Sequence, residues 1–254
     1  MEYSVCTNAV FGGIPLPEAI RRTAAAGFRA FEFWSWWDQD MEAVARAQKE
    51  TGLRAAGMCT RMVPLNVPEL RGEYIQGLRE SICVAEKLDS RTLISQVGQA
   101  VDGQTRQAQH DSIVEGLRRC APVLEDAGIT LVIEPLNALV NHKGYYLTRS
   151  AEAFEIIREV NSPNVKVLFD VYHQQITEGN LIDNLTQGAE CIGHIHIAGN
   201  PGRHEPLDNS EVSYPVIINT LKRCGYDGAV GLEYFPLRNP EEGLREILEK
   251  MPIQ

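Results

Sequence analysis

Four ionisable side chains stand at the ends of apolar, β-rich runs in the second half of the chain. They are Glu134 in ITLVIE, Asp170 in VKVLFD, His196 in IGHIHI and Glu233 in AVGLEY. Successive side chains of a strand point to opposite faces of the sheet, so the position of each residue in its strand determines the face to which its side chain points. If the four runs are neighbouring parallel strands, one acid or imidazole from each enters the same mouth.

Three carboxylates in one mouth repel one another and raise their own pKa values unless a positive charge lies among them. A divalent cation supplies that charge. Two Glu, one Asp and one His form a mostly oxygen set that suits Mn²⁺ or Mg²⁺, and the same set leaves Co²⁺ and Zn²⁺ open. His194, one pleat deeper than His196, is predicted to support the ligands from beneath.

Such a site favours removal of a proton next to a carbonyl group. The cation polarises the carbonyl, and an enediolate forms when a base takes the carbon-bound proton. Glu134 and Glu233 are predicted to be the acid–base pair that moves this proton. Aldose–ketose isomerisation and carbon epimerisation share this chemistry and differ in where the proton returns.

Further polar and aromatic residues are predicted to contact the substrate. His173 follows Asp170 by three residues, in what the sequence predicts to be a loop. Arg203 lies in the polar loop GNPGRHEPLDNSEVSY, where its planar guanidinium suits a carboxylate or two hydroxyls. Glu32 and Trp34 share one face of FRAFEFW and fit a small polyhydroxylated ligand.

The elements that position these residues alternate regularly along the chain. Eight β-rich runs alternate with eight segments of helical period, which predicts parallel β/α units. The runs are YSVCTN, FRAFEFW, LRAAGMC, RTLISQV, ITLVIE, VKVLFD, IGHIHI and AVGLEY. We therefore predict one α/β domain over residues 1–254, a single (β/α)₈ TIM barrel with its site at the carboxyl ends of the strands. An open doubly wound sheet would carry a G-x-G-x-x-G turn after its first strand, and TNAVFGGIP has none.

Composition limits the classes of partner. The 254 residues carry a formal net charge of −10, which argues against nucleic acid and against an anionic membrane surface. The sequence shows neither an apolar run long enough to span a bilayer nor a signal peptide, so a cytoplasmic protein is expected. Six scattered cysteines without a C-x-x-C pair predict buried thiols rather than a zinc knuckle or disulfides.

Four segments together resemble the hydroxypyruvate isomerase family. They are IEPLN (133–137), LFDVYHQQITEGNL (168–181), IGHIHIAGNPGRHEP (192–206) and YDGAVGLEYFP (226–236). That family belongs to the xylose-isomerase-like barrels, which include the ketose 3-epimerases. The resemblance implies metal ligation by the same four residues found at the strand ends, and it implies substrate contacts for His173 and Arg203.

Two positions depart from the family pattern. Hydroxypyruvate isomerases often have Gln where this chain has His196, as the sugar epimerases do. The family commonly places an acid several residues after IEPLN, and here Asn141 or His142 stands in that region. An Asn there binds a hydroxyl but takes no proton.

The expected function is therefore isomerisation of a small hydroxy-carbonyl substrate. The first expectation is the conversion of hydroxypyruvate to tartronate semialdehyde. A ketose 3-epimerase or a sugar-acid isomerase is the alternative. A barrel endonuclease for abasic DNA and a non-catalytic sugar-binding barrel are remote alternatives. The expected partner is a small molecule, and a homo-oligomer stays open.

Overall fold

Eight parallel strands close into a barrel in the computed structural model, which describes residues 1–208 and 210–253. The strands pair in chain order, and the last pairs with the first. They are β1 (Glu2–Cys6), β2 (Ala30–Phe33), β3 (Arg54–Cys59), β4 (Thr92–Ser95), β5 (Thr130–Ile133), β6 (Val165–Asp170), β7 (Ile192–Ile197) and β8 (Ala229–Leu232). The predicted (β/α)₈ TIM barrel is confirmed.

The described residues form ten α-helices, two more than the alternation predicts. They are α1 (Thr7–Val10), α2 (Leu16–Ala25), α3 (Met41–Thr51), α4 (Arg71–Lys87), α5 (Arg106–Ala127), α6 (Ser150–Val160), α7 (Val171–Thr177), α8 (Leu181–Gln187), α9 (Tyr214–Arg223) and α10 (Pro240–Lys250). The additional helices are α1 and α7, which begin directly where β1 and β6 end. None of the described helices has both the length and the apolar character needed to cross a bilayer.

Local sequence signals set several helix ends. Gly52 and Gly128 follow α3 and α5 in the left-handed region, with φ of 69° and 63°. Such a conformation costs little only for glycine, and it turns the chain toward the next strand. Asn239 begins α10 by accepting a hydrogen bond from the backbone N–H of Glu242 at 3.1 Å.

The strand register brings the polar residues into adjacent rows. Asp170 on β6 is paired with His196 on β7, and His196 is paired with Gly231 on β8. Neighbouring strands lie about 4.8 Å apart, so side chains in one row are in contact range. On β2, Glu32 is paired with Cys6 of β1.

Apolar packing in the described residues is divided among one large cluster and two small ones. A large cluster holds most of the buried aliphatic and aromatic side chains of helices and strands. A smaller cluster of Cys59, Ile94, Val132 and Leu168 is separate from it. Val132 shares a strand face with Glu134, and Leu168 shares one with Asp170, so this cluster lies on the side of the sheet that carries the site. All six cysteines are free thiols, and four are buried.

Candidate active site

The four side chains predicted to bind a metal lie together at the carboxyl ends of the strands. Glu134 follows β5, Asp170 ends β6, His196 lies in β7 and Glu233 follows β8. One ligand atom from each lies within 4.8 Å of the others, and all four residues are buried. The geometry thus brings together a set that sequence alone placed only on four separate strands.

Three of these four residues direct an unpaired polar atom into the shared space. Nine buried side-chain nitrogen or oxygen atoms lack a hydrogen-bond partner in the described residues, and they include Glu134 Oε1, Asp170 Oδ2 and His196 Nδ1. Buried polar atoms are normally paired, and an unpaired one costs about 1–3 kcal/mol. Three such unpaired atoms that converge on one point fit the ligand sphere of a divalent cation.

The orientation of His196 is fixed from below by Glu32. His196 Nε2 lies 2.8 Å from Glu32 Oε2, so this nitrogen donates its proton to the carboxylate. The other ring nitrogen, Nδ1, faces the acidic cluster. A metal-binding histidine commonly donates its second N–H to a carboxylate in this way.

Glu32 itself is held by two further donors. His194 Nε2 lies 3.1 Å from Glu32 Oε1, and the hydroxyl of Ser4 donates to the same oxygen. His194 thus lies one layer beneath the four predicted ligands, where the sequence predicts its supporting role. Glu32, which is predicted to contact substrate, lines the cavity, and its occupied oxygens also suit it to position His196.

Charges explain why Glu32 and His196 bind each other firmly. Burial alone would raise the pKa of Glu32, but the imidazoles of His194 and His196 hold it well below its usual range. Burial likewise opposes a charge on His196, and the carboxylates of Glu32 and Glu233 raise its pKa well above the ordinary value. Both oxygens of Glu32 are therefore paired with an imidazole inside the barrel.

Glu233 is held on both of its oxygens. Trp34 Nε1 donates to Glu233 Oε1 at 2.7 Å, and Arg203 Nη2 donates to Glu233 Oε2. His196 Nδ1 lies 3.3 Å from the same Oε2. Trp34, predicted to contact substrate, thus also fixes one of the predicted acid–base residues.

Arg203 is buried in spite of its position in a long loop. It has a positive φ of 60°, and its guanidinium lies over the rings of Tyr172 and Phe235 at 5.3 and 5.8 Å. Stacking of this kind stabilises a guanidinium that has left bulk water. Its Nη2 also lies 3.6 Å from Asp170 Oδ2, so Arg203 reaches two of the four predicted ligands, Asp170 and Glu233.

The two glutamates have pKa values shifted in opposite directions. Burial, and then the charge of Glu233, raises the pKa of Glu134 well above its ordinary value. Burial also tends to raise that of Glu233, but Arg203 and His196 outweigh it and lower the pKa. Two carboxyls that differ in this way are suited to opposite roles in proton transfer.

His173 lies in a helix, and its predicted loop position is wrong. Asp170 Oδ1 accepts the backbone N–H groups of Tyr172 and His173 at 2.8 and 3.3 Å, which starts α7 directly after β6. This cap fixes the imidazole inside the protein, with Nε2 3.6 Å from Asp170 Oδ2. Burial, and then the positive charge of Arg203, lowers the pKa of His173 well below its ordinary value, so the ring is neutral.

The site opens into a cavity of about 370 Å³. Nine of the ten residues predicted from sequence line it; Asp170 lies behind the lining, in contact with Arg203 and His173. The other lining side chains are Cys6, Phe33, Cys59, Met62, Ile94, Gln96, Leu136 and Phe235. The pattern of polar residues at strand ends did not predict these lining residues, because most of them are ordinary apolar residues.

The chain matches the model of the xylose isomerase-like TIM barrels over residues 20–252. It belongs to this family. Hydroxypyruvate isomerase of Escherichia coli (strain K12) is 31% identical over 256 residues, which cover 96% of this chain and 97% of that protein. The 2-oxo-tetronate isomerase of Pectobacterium atrosepticum is 28% identical over 255 residues, 96% of this chain and 95% of that protein.

Among solved structures, the crystal structure of AP endonuclease, family 2 from Brucella melitensis superposes with a TM-score of 0.92. It is 31% identical in sequence and covers 98% of this chain and 99% of that chain. With isomerases as relatives over nearly its full length, this xylose isomerase-like barrel is an isomerase-class enzyme, as its sequence predicts.

Proposed function

We propose that this barrel is a metal-dependent isomerase of a small 2-oxo acid that carries a hydroxyl group beside its carbonyl. Conversion of hydroxypyruvate to tartronate semialdehyde is the leading reaction. The observation that carries the proposal is the convergence of Glu134, Asp170 and His196 on one point with unpaired buried atoms. The names of the two relatives, which specify hydroxypyruvate and 2-oxo-tetronate, support a 2-oxo acid.

Glu134, Asp170, His196 and Glu233 would hold the cation. Three carboxylates and one imidazole favour Mn²⁺ or Mg²⁺ over softer metals, while Co²⁺ and Zn²⁺ also fit. When bound, such a cation polarises the carbonyl group and stabilises the negative charge of an enediolate.

The protein's own groups move the protons. Glu134 and Glu233 are the acid–base pair, and one of them takes a proton from C3. The other delivers a proton to C2, and Glu233 is held in place for its part by Trp34 and Arg203. The hydroxyl proton passes from the oxygen on C3 to the oxygen on C2, so substrate and product are isomers and no oxidant is needed.

A ketose 3-epimerase or a sugar-acid isomerase is the second candidate, and His196 favours it. The resemblance noted in the sequence places His at this position in the sugar epimerases. The cavity of about 370 Å³ lies at the small end of the range for ligand sites, about 300–1,000 Å³. Its size favours the shorter acid as substrate.

An AP endonuclease activity, after which the Brucella melitensis protein is named, has less support in this chain. In the part of the chain that the structure describes, the two groups of metal-ligating side chains share His196 and do not form a larger cluster. A net charge of −10 also opposes binding to a phosphate backbone.

A substrate panel tests the proposal. Metal-replete protein is incubated with hydroxypyruvate, 2-oxo-tetronate, fructose, tagatose and ribulose, and products are identified by chromatography against standards. We expect product from a 2-oxo acid, and a loss of at least about 10²-fold in kcat for Glu134→Gln and Glu233→Gln. Glu80→Gln, an exposed change in a surface ion pair, is the matched control.

Product from ketoses alone would replace the leading reaction with epimerisation. Full activity in both glutamine variants would overturn the roles of Glu134 and Glu233.

A further inference from the structure

A buried asparagine outside the metal set connects two residues of the cavity wall. Asn137 is fully buried in the segment after β5. Its Oδ1 accepts the backbone N–H groups of Val140 and Asn141 at 3.0 and 3.1 Å. A backbone amide only donates, so these two bonds determine which end of the Asn137 side chain is oxygen and which is nitrogen.

The orientation of Asn137 determines that of its two neighbours. Its Nδ2 donates to Asn141 Oδ1 at 3.0 Å and to His173 Nδ1 at 2.6 Å. The backbone N–H of Asn137 also points at His173 Nδ1, at 3.3 Å. Because Nδ1 accepts from these two N–H groups, it carries no proton, and the ring proton of His173 lies on Nε2.

Asn141 is fixed in the same manner at the rim of the cavity. Its Oδ1 accepts from Asn137 and also from the hydroxyl of Tyr172, at 3.0 Å. The oxygen is thus occupied, and the Nδ2 group remains to donate at the cavity that Asn141 lines.

These groups lie next to Arg203. Its Nη2 and His173 Nε2 each lie 3.6 Å from one oxygen, Asp170 Oδ2. The ring of Tyr172, whose hydroxyl contacts Asn141, also packs against the Arg203 guanidinium. We call Asn141, His173 and Arg203 the donor wall, because each offers N–H groups to the cavity and none offers a free acceptor there.

We propose that the donor wall binds the carboxylate of a 2-oxo acid, and that Asn137 is the positioning residue that keeps it donor-only. A carboxylate only accepts hydrogen bonds, so it satisfies every group of this wall. A hydroxymethyl group at the same place would have a proton with no acceptor on the wall. The proposal rests on the proposed function and deepens it by selecting acids over neutral sugars.

Two isosteric variants separate the parts of this wall. Asn137→Asp replaces the Nδ2 group by an oxygen, so His173 must turn its proton to Nδ1 and present a lone pair at Nε2. Asn141→Asp leaves Asn137 and His173 as they are, but it replaces a donor at the cavity by a negative charge. Because Asn141 is exposed at the rim, this variant keeps the binding test available if Asn137→Asp fails to fold.

The tautomer of His173 is read by ¹⁵N NMR of the full-length protein labelled at histidine. We expect the Nε2–H tautomer in the natural protein and in Asn141→Asp, and the Nδ1–H tautomer in Asn137→Asp. An unchanged tautomer in Asn137→Asp would remove the positioning role, because substitution of a merely structural asparagine would not move this proton.

Ligand binding is measured by calorimetry on metal-loaded protein, with pyruvate and dihydroxyacetone as probes. Pyruvate has the carboxylate but no 3-hydroxyl, so it cannot isomerise, and dihydroxyacetone carries a hydroxymethyl group in place of the carboxylate of hydroxypyruvate. We expect both variants to bind pyruvate at least about tenfold more weakly, and dihydroxyacetone with less than about threefold change.

Pyruvate binding that is unchanged in Asn141→Asp, or an equal loss for both probes, would overturn the carboxylate assignment. If the natural protein binds pyruvate as expected but does not turn over hydroxypyruvate, the proposed reaction fails while the donor wall stands.

Discussion

His196 illustrates how one side chain of the site is held on both sides. Its Nε2 donates to Glu32, and its Nδ1 faces the carboxylate of Glu233. Removal of the lower partner should leave the ring free to rotate and to change tautomer. Glu32 is therefore expected to act on the metal site without touching the cation.

We predict that Glu32→Gln weakens Mn²⁺ binding by about 10- to 100-fold, since one imidazole loses its carboxylate acceptor. Calorimetric titration of the demetallated protein measures this. Ser4→Ala, which removes only a hydroxyl donor to Glu32, is the matched control and should have a smaller effect. Equal affinity in Glu32→Gln and the natural protein would exclude the positioning role.

Residue types at strand ends were predictable, whereas their cross-barrel partners were not. Glu134, Asp170, His196 and Glu233 follow from where apolar runs stop, which is a local pattern. The contact between Glu32 and His196 joins residues 164 positions apart and exists only when the barrel closes. Arg203 lies in a loop with a φ of 60°, and its side chain is nevertheless buried. No spacing of residues in the sequence predicts this conformation or this burial.

At the scale of elements, β8 contributes a position without a side chain, Gly231, and it is followed directly by the carboxylate of Glu233. Gly231 is paired with His196, and a Cβ at this position would meet the His196 ring and lie 2.7 Å from Glu32 Oε1. Contacts this short force a shift of the neighbours. Glycine is thus required here for the close approach of two side chains.

We predict that Gly231→Ala folds less stably and binds Mn²⁺ at least about tenfold more weakly, because the methyl group displaces the His196 ring. Gly72→Ala near the start of α4 has open space around its Cβ and serves as a control for added volume. If metal affinity falls equally in both variants, displacement of His196 is not the cause.

Helix ends were predictable where the cap is local. Asn239 followed by Pro240 is a local signal for the cap of α10, whereas Asp170 gives no such signal for α7 because it ends a strand run. We predict that Asn239→Ala lowers the free energy of unfolding by about 1 kcal/mol, and that Asn239→Ser restores most of it. Urea denaturation measures both, and an unchanged midpoint for Asn239→Ala would contradict the cap.

At the scale of the whole molecule, the alternation of short apolar runs and amphipathic segments was sufficient to predict the barrel. Its two additional helices were missed since α1 and α7 are only four and seven residues long, too short to show a helical period. A cytoplasmic location and a homo-oligomer stay predictions.

Metal binding should be coupled to proton release. Burial, the first cause, raises the pKa values of Glu134 and Asp170, while carboxylates raise that of His196, so all three hold protons to higher pH than usual. A cation must displace those protons.

We therefore predict that affinity for Mn²⁺ increases as pH rises through these raised pKa values. Calorimetry in buffers of different ionisation enthalpy should detect the protons that are released. Affinity that is independent of pH would contradict the predicted ligand set.

The most direct test of metal-assisted proton transfer is proton NMR of the protein in D₂O with hydroxypyruvate. It compares Mg²⁺-loaded protein, the same protein after chelation, Glu134→Gln, and substrate alone. We predict that solvent deuterium enters the carbon-bound positions, and tartronate semialdehyde appears, only in the metal-loaded natural protein. Equal turnover after chelation, or equal turnover in Glu134→Gln, would contradict the account, because the reaction would then not need the cation in the first case and not need Glu134 of the acid–base pair in the second.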